Sequence, residues 1–123
     1  MDTDQSVWYD EKTGVVFNTG KPASTAEAAK STLRRVAQLM EGKPRRLLLV
    51  DLTDAPLSLD ADVRKVLAEE SKGLNLERQG FVVPNPVIRM LAKAIARMTG
   101  AAAKAAFFAT TEEAVQWLQG EGD

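Results

Sequence analysis

Oxygen-bearing side chains follow an apolar run in the segment RRLLLVDLTDAPLSLDAD, residues 45–62. Side chains of this type could supply ligands to a hard cation or line a surface that binds a ligand or a partner. We predict no metal, because the spacing D-x-[DN]-x-[DN]-G of a calcium loop is missing. A structural role is the alternative, since serine caps helices and aspartate suits the positive end of a helix dipole. The candidate binding residues of this segment are Asp51, Thr53, Asp54, Ser58 and Asp60.

A second polar group opens the segment PNPVIRMLAKAIAR, residues 84–97. Asn85 followed by proline is the order of a helix N-cap and a first helical residue. The free amides of such a helix start can hold an anion, and Arg89 lies in its first turn. Asn85 and Arg89 are therefore candidates for binding a phosphate, a carboxylate or an acidic partner. The alternatives are a solvated basic stripe and an ion pair of Arg89 with Asp51 or Asp54.

The composition excludes several classes of function. The 123 residues include no histidine and no cysteine, which excludes disulfides, thiolate catalysis, serine–histidine triads and histidine metal sites within one chain. No nucleophile–base pair stands at a diagnostic spacing, so we predict neither an enzyme nor a cofactor. A net charge of −1 does not select nucleic acid. No apolar run approaches the ~20 residues of a membrane helix, and the acidic start MDTDQS is no secretory signal. We expect a cytoplasmic protein.

The chain alternates between strand and helix patterns over a single domain, residues 1–123, with residues 1–4 and 120–123 frayed. Ser24 and Glu27 have capping-box spacing for the first helix, and Gly42 follows its last periodic residue. The third helix is expected to bury Val87, Ile88, Leu91, Ala92, Ile95 and Met98. The predicted elements are strands at 7–9 and 15–17, a helix before 42, a strand at 47–52, a helix at 59–72, a strand at 81–83, a helix at 86–98, a strand at 103–109 and a helix after Thr110.

This pattern predicts an α/β fold with a mixed, mostly parallel sheet of about five strands and four helices. The run at 47–52 has almost no polar alternation, so it should be a central strand covered on both faces. The first strand is free to run antiparallel at an edge. Both polar groups follow parallel strands, so they should share one end of the sheet, where open α/β folds bind ligands.

The order of elements, with LLLVDLTDAPLSLDADVRKVLAEE and the closing AAFFATTEEAVQWLQ, resembles the STAS-like fold of bacterial anti-sigma-factor antagonists and of small stand-alone proteins that share it. The resemblance implies regulatory, non-enzymatic work by protein–protein contact. In the antagonists, a serine at the start of the helix after the Asp-Leu strand is phosphorylated by a partner kinase. An ungapped match places Asp60 there, and a two-residue shift makes Ser58 the phosphorylation candidate. The chain therefore looks more like the stand-alone members, which lack the switch.

Two functions of different classes follow from these observations. The first is protein–protein contact through the loop at 54–62 and the start of the second helix. The second is a binding module for a small anionic or apolar ligand, held between the strand ends and the start of the third helix. We also predict a homodimer, because Met90, Ala94, Met98 and the alanine-rich run at 101–106 offer more apolar surface than one helix side needs.

Overall fold

Five strands form one sheet in chain order, with the first strand at an edge. The structure is a computed structural model that describes residues 7–19, 25–53, 61–62, 65–66, 69, 73–99 and 105–120. β1 pairs with β2 antiparallel, and all other neighbours are parallel. The predicted α/β class, mostly parallel sheet and antiparallel edge strand are confirmed. The strands are β1 (Val7–Asp10), β2 (Val15–Asn18), β3 (Leu47–Asp51), β4 (Arg78–Val82) and β5 (Ala105–Phe108).

The first helix, α1 (Ala26–Met40), begins one residue later than a Ser24 cap requires. Thr25 is the N-cap: its backbone is extended and its hydroxyl oxygen accepts a hydrogen bond from the Ala28 amide at 3.0 Å. The prediction of Ser24 as the cap is therefore wrong, and Ser24 itself lies outside the described residues. Gly42 has a φ of +78°, so the predicted left-handed turn after this helix is confirmed.

The predicted second helix lies for the most part outside the described residues. Between residues 59 and 73, six positions are described, and all six are helical: 61, 62, 65, 66, 69 and 73. Two further helices complete the described part of the chain, α2 (Pro86–Thr99) and α3 (Thr111–Leu118). Three helices are thus described in full, and a fourth stays a prediction.

Apolar side chains cover the sheet on both faces, as expected for a central strand without polar alternation. On one face, Leu48 packs with Val16 and with Leu33 and Val36 of α1. On the other face, Leu47 and Leu49 pack with residues of α3. The alternation of buried residues along β3 therefore supplies both cores, and β3 is the third strand of five.

β4 begins three residues before the apolar run that predicted it, because tertiary contacts bury a glycine in its middle. A Cβ atom added to Gly80 would lie 3.4 Å from the Leu118 side chain and 3.6 Å from the Ala114 Cβ. Glycine at this position thus lets α3 approach the sheet closely. β5 ends one residue before the predicted strand at 103–109, whose first two residues lie outside the described residues, and it contacts both α2 and α3.

The predicted core face of α2 is wrong at Val87 and Leu91, which are exposed. Ile88 is half-buried, so the helix turns a narrower side inward than its apolar pattern indicates. Crossovers of the usual right hand from β2 to β3 and from β4 to β5 would place α2 on the same face of the sheet as α1. The side chains of Ala92, Ile95 and Met98 lie outside the described part.

Candidate functional site

The carboxyl ends of three parallel strands adjoin each other. The Leu52 amide donates to the Val82 carbonyl at 2.9 Å, and the Val83 amide donates to the Phe108 carbonyl at 2.7 Å. We call the segments that leave these strands the strand-end rim: residues 51–53, 83–85 and 109–110. The rim brings Asp51 and Thr53 to the same end of the sheet as Asn85, as the sequence predicted.

At the rim, Asp51 and Thr53 form a local turn. Asp51 Oδ1 accepts hydrogen bonds from the Thr53 amide at 2.9 Å and from its hydroxyl at 2.5 Å. This is the Asx-turn geometry that breaks a strand and redirects the chain. One oxygen of the candidate carboxylate thus serves the backbone, which agrees with the structural alternative for this residue.

Asn85 caps α2, as predicted. Its Oδ1 accepts from the amides of Val87 at 2.9 Å and Ile88 at 3.3 Å, and its carbonyl accepts from the Arg89 amide at 2.9 Å. Pro86 has no amide hydrogen to offer. The amides expected to hold an anion are therefore already paired, and an anion at this place would have to displace the Asn85 side chain.

Arg89 is held by the rim's own backbone. Its Nη1 donates to the Val83 carbonyl at 2.9 Å and to the Pro84 carbonyl at 3.3 Å. Within the described residues it pairs with these carbonyls rather than with Asp51. The side chain thereby clamps the start of α2 to the end of β4. The remaining candidates, Asp54, Ser58 and Asp60, lie outside the described residues.

An apolar row runs along the solvent side of α2 and starts at the rim. Val87, Met90 and Leu91 are 65%, 70% and 58% exposed, and Ala94 is exposed as well. Their spacing of i, i+3, i+4 and i+7 places them on one side of the helix, over a length of about 10 Å. We call these four residues the apolar ridge. Large apolar side chains grouped in this way are uncommon on the surface of a monomeric protein.

The sequence assigned half of the ridge to the core. Met90 and Ala94 were predicted as surplus surface, whereas Val87 and Leu91 were assigned to the buried side. A signal was present: apart from the row Arg89, Lys93 and Arg97, every position from Val87 to Met98 is apolar. A helix that lies on one face of a sheet cannot bury apolar side chains over so much of its circumference.

The opposite end of the sheet holds a cluster of arginines that anchors α3. Arg45 donates to the Gln119 carbonyl at 2.8 Å and pairs with Glu77 through bonds of 3.1 and 2.6 Å. Arg78 donates to the Trp117 carbonyl. These bonds satisfy carbonyls at the end of the helix, where positive charge is favourable. The hydrogen bond from the Arg45 guanidinium holds the pKa of Glu77 below its usual value; burial opposes this effect, and the charges of Arg45 and Arg78 add to it.

Beside this cluster lies an open pocket of about 200 Å³. Its walls come from the β1–β2 turn, the start of β3 and the end of α3. Arg45, the charged residue in its lining, is already engaged by Glu77 and Gln119. The pocket therefore lies at the pole away from the rim, and none of the candidate residues contributes to it. Its lining is Tyr9, Thr13, Gly14, Pro44, Arg45, Leu47 and Gln119.

The family model of DUF7793, a domain of unknown function, matches residues 8–121. The chain belongs to this family. The DUF7793 match spans every described strand except the first residue of β1, and it includes both the rim and the ridge. The DUF7793 chain is also similar to the NMR structure of the protein TM1081, with a TM-score of 0.63 and 17% identity over 92% of this chain and 86% of that chain. At this identity the likeness shows a shared fold. No curated protein matches the sequence.

Two further properties bear on what this DUF7793 domain can bind. In the described parts of the chain, Asp and Glu residues form no group of three or more that could hold a metal ion. Within the same residues, no helix has the length and apolar character needed to cross a bilayer.

Proposed function

We propose that the protein is a non-enzymatic cytoplasmic module of STAS-like fold that acts by protein–protein contact, in a regulatory role. The exposed apolar ridge is the observation that carries this proposal. The ridge starts at the rim, at the end of the sheet where β3 also ends. The second contact in this proposal is the loop at residues 54–62, with the start of the second predicted helix.

The hydrogen bonds of the rim support contact rather than chemistry. Asp51 bonds to Thr53, Asn85 caps α2, and Arg89 binds two backbone carbonyls. Each group thus has a role in shaping the surface. The STAS-like assignment is supported by the order of the sheet and by the helices α1 and α2, which connect β2 to β3 and β4 to β5.

Affinity capture with three forms of the protein tests this proposal. The wild type is compared with Met90→Asp on the ridge and with the double variant Ser58→Ala, Asp60→Ala in the loop. Proteins that the wild type retains and Met90→Asp loses are identified, produced in pure form and titrated by calorimetry. Equal recovery of every protein by the wild type and both variants would refute a contact through this end of the molecule.

The competing proposal is a small anionic or apolar ligand at the rim. It is supported by Arg89, a half-buried cation held between the end of β4 and the start of α2. A thermal-shift screen with nucleotides, phosphorylated metabolites and fatty acids discriminates the two functions. A ligand that raises the unfolding midpoint of the wild type but not of Arg89→Ala would favour this alternative.

A further inference from the structure

The apolar ridge is bordered by positive charge on one side. Lys93 lies three residues after Met90, and Arg97 lies three residues after Ala94, so each cation stands beside a ridge residue on the helix surface. Both cations are exposed. Arg89, the third cation of the helix, points to the Val83 and Pro84 carbonyls instead. The solvent side of α2 thus combines an apolar row with two available cations.

The helix α2 carries no negative charge of its own to balance its cations. The helix sequence PVIRMLAKAIARMT contains no aspartate or glutamate. The ridge of a second copy would therefore offer no carboxylate to Lys93 or Arg97. A two-fold axis that packed two ridges antiparallel would bring both pairs of cations to the same side of the interface, where they repel.

We infer that the ridge binds an acidic segment of a partner protein. In this segment, apolar side chains on a helix or in a groove contact the ridge, and carboxylates flank them. This inference rests on the proposed function and names the chemistry of the partner. Apolar side chains at positions i, i+3, i+4 and i+7 are typical of helices that bind other proteins. Met90, the most exposed of the three large ridge residues, has a flexible side chain that adapts to a partner's surface.

A lipid surface fits the same features less well. Helices that lie in a membrane interface combine a rich set of lysines and arginines with large apolar side chains such as Trp, Phe and Leu. The ridge has no aromatic residue, and the helix itself flanks it with two cations, Lys93 and Arg97. Vesicle binding is therefore a competing outcome of the test.

The test uses two synthetic amphipathic peptides with the same leucine row, one flanked by glutamates and the other by lysines. Fluorescence anisotropy measures their binding to the 123-residue chain. We expect the glutamate peptide to bind at least about tenfold more tightly than the lysine peptide, a preference that weakens with added salt. The double variant Lys93→Glu, Arg97→Glu should bind the glutamate peptide about tenfold more weakly, because two attractive charge contacts beside the ridge become repulsive.

A matched control is the double variant Lys30→Glu, Arg34→Glu, which changes the net charge equally at exposed positions one turn apart on α1. It should bind the glutamate peptide as the wild type does. Met90→Asp should abolish binding of both peptides. Circular dichroism melts confirm that each variant is folded.

Four results would overturn the inference: equal binding of both peptides, an unchanged preference after charge reversal, binding to phosphatidylglycerol vesicles in place of the peptide, or a light-scattering mass of twice 13.4 kDa that Met90→Asp halves. Failure of the inference is distinguishable from failure of the proposed function. A captured partner that is lost by Met90→Asp but retained by the double variant Lys93→Glu, Arg97→Glu would support the ridge as the contact surface. The same result would refute the acidic character of the partner.

Discussion

Truncation of Leu91 to alanine tests whether the ridge is open to solvent. Full burial of a leucine side chain stabilises a protein by roughly 1.5–3 kcal/mol. Only about two-fifths of Leu91 is removed from water, so its share is about 1 kcal/mol or less. Alanine also has a slightly better helix propensity. We therefore expect Leu91→Ala to lower the free energy of unfolding by about 0.5 kcal/mol.

The matched comparison is Leu33→Ala on α1, where the side chain is only 5% exposed and packs in the core. That truncation should cost about 2–5 kcal/mol, because it leaves a cavity between α1 and the sheet. Urea denaturation followed by circular dichroism measures both changes, with equal slopes required for the comparison. A loss above about 2 kcal/mol for Leu91→Ala would mean that this side chain is covered in solution, and the ridge would no longer be a docking surface.

Three further predictions concern the rim, the packing of α3 and the arginine cluster. Asn85→Ala should cost about 1 kcal/mol in urea denaturation, because two amides at the start of α2 lose their acceptor. Gly80→Val should lower the free energy of unfolding by about 1–3 kcal/mol, because the new side chain crowds Leu118. The double variant Gly80→Val, Leu118→Ala should lose less stability than the two single variants together, and strict additivity would contradict this packing. Because Arg45 lowers the pKa of Glu77, their pair stabilises the fold above the unfolded-state pKa and is lost as the pH falls below 4.5. Glu77→Gln should therefore be less stable than the wild type by under about 1 kcal/mol at neutral pH and equally stable in acid.

Local signals in the sequence predict most of the described fold. The run at 47–52 indicates a central strand because it is apolar on both sides, and it pairs on both edges. Thr110 accepts a hydrogen bond from the Glu113 amide, as its capping-box spacing indicates. These features depend on residues a few positions apart, so the sequence alone is enough to locate them.

Features set by distant contacts are less visible in the sequence. Gly80 reads as a strand breaker, yet it lies within β4 because the sheet and α3 meet there. The side of α2 that turns inward depends on its neighbours, so its own periodicity placed Val87 and Leu91 wrongly. The adjacency of the candidate rim residues followed from parallel pairing alone. The hydrogen bonds of Arg89 did not, because the side chain binds the backbone carbonyls of Val83 and Pro84.

Because α3 covers one face of the sheet, that face stays exposed during part of the chain's synthesis. All five strands precede this helix in the chain, so a nascent chain can assemble the sheet while one apolar side is still bare. That side carries Val15, Leu47 and Leu49, which are fully shielded only when Leu118 and Ala114 arrive. Until the ribosome releases those residues, the half-covered sheet is a target for chaperones and for association with other nascent chains.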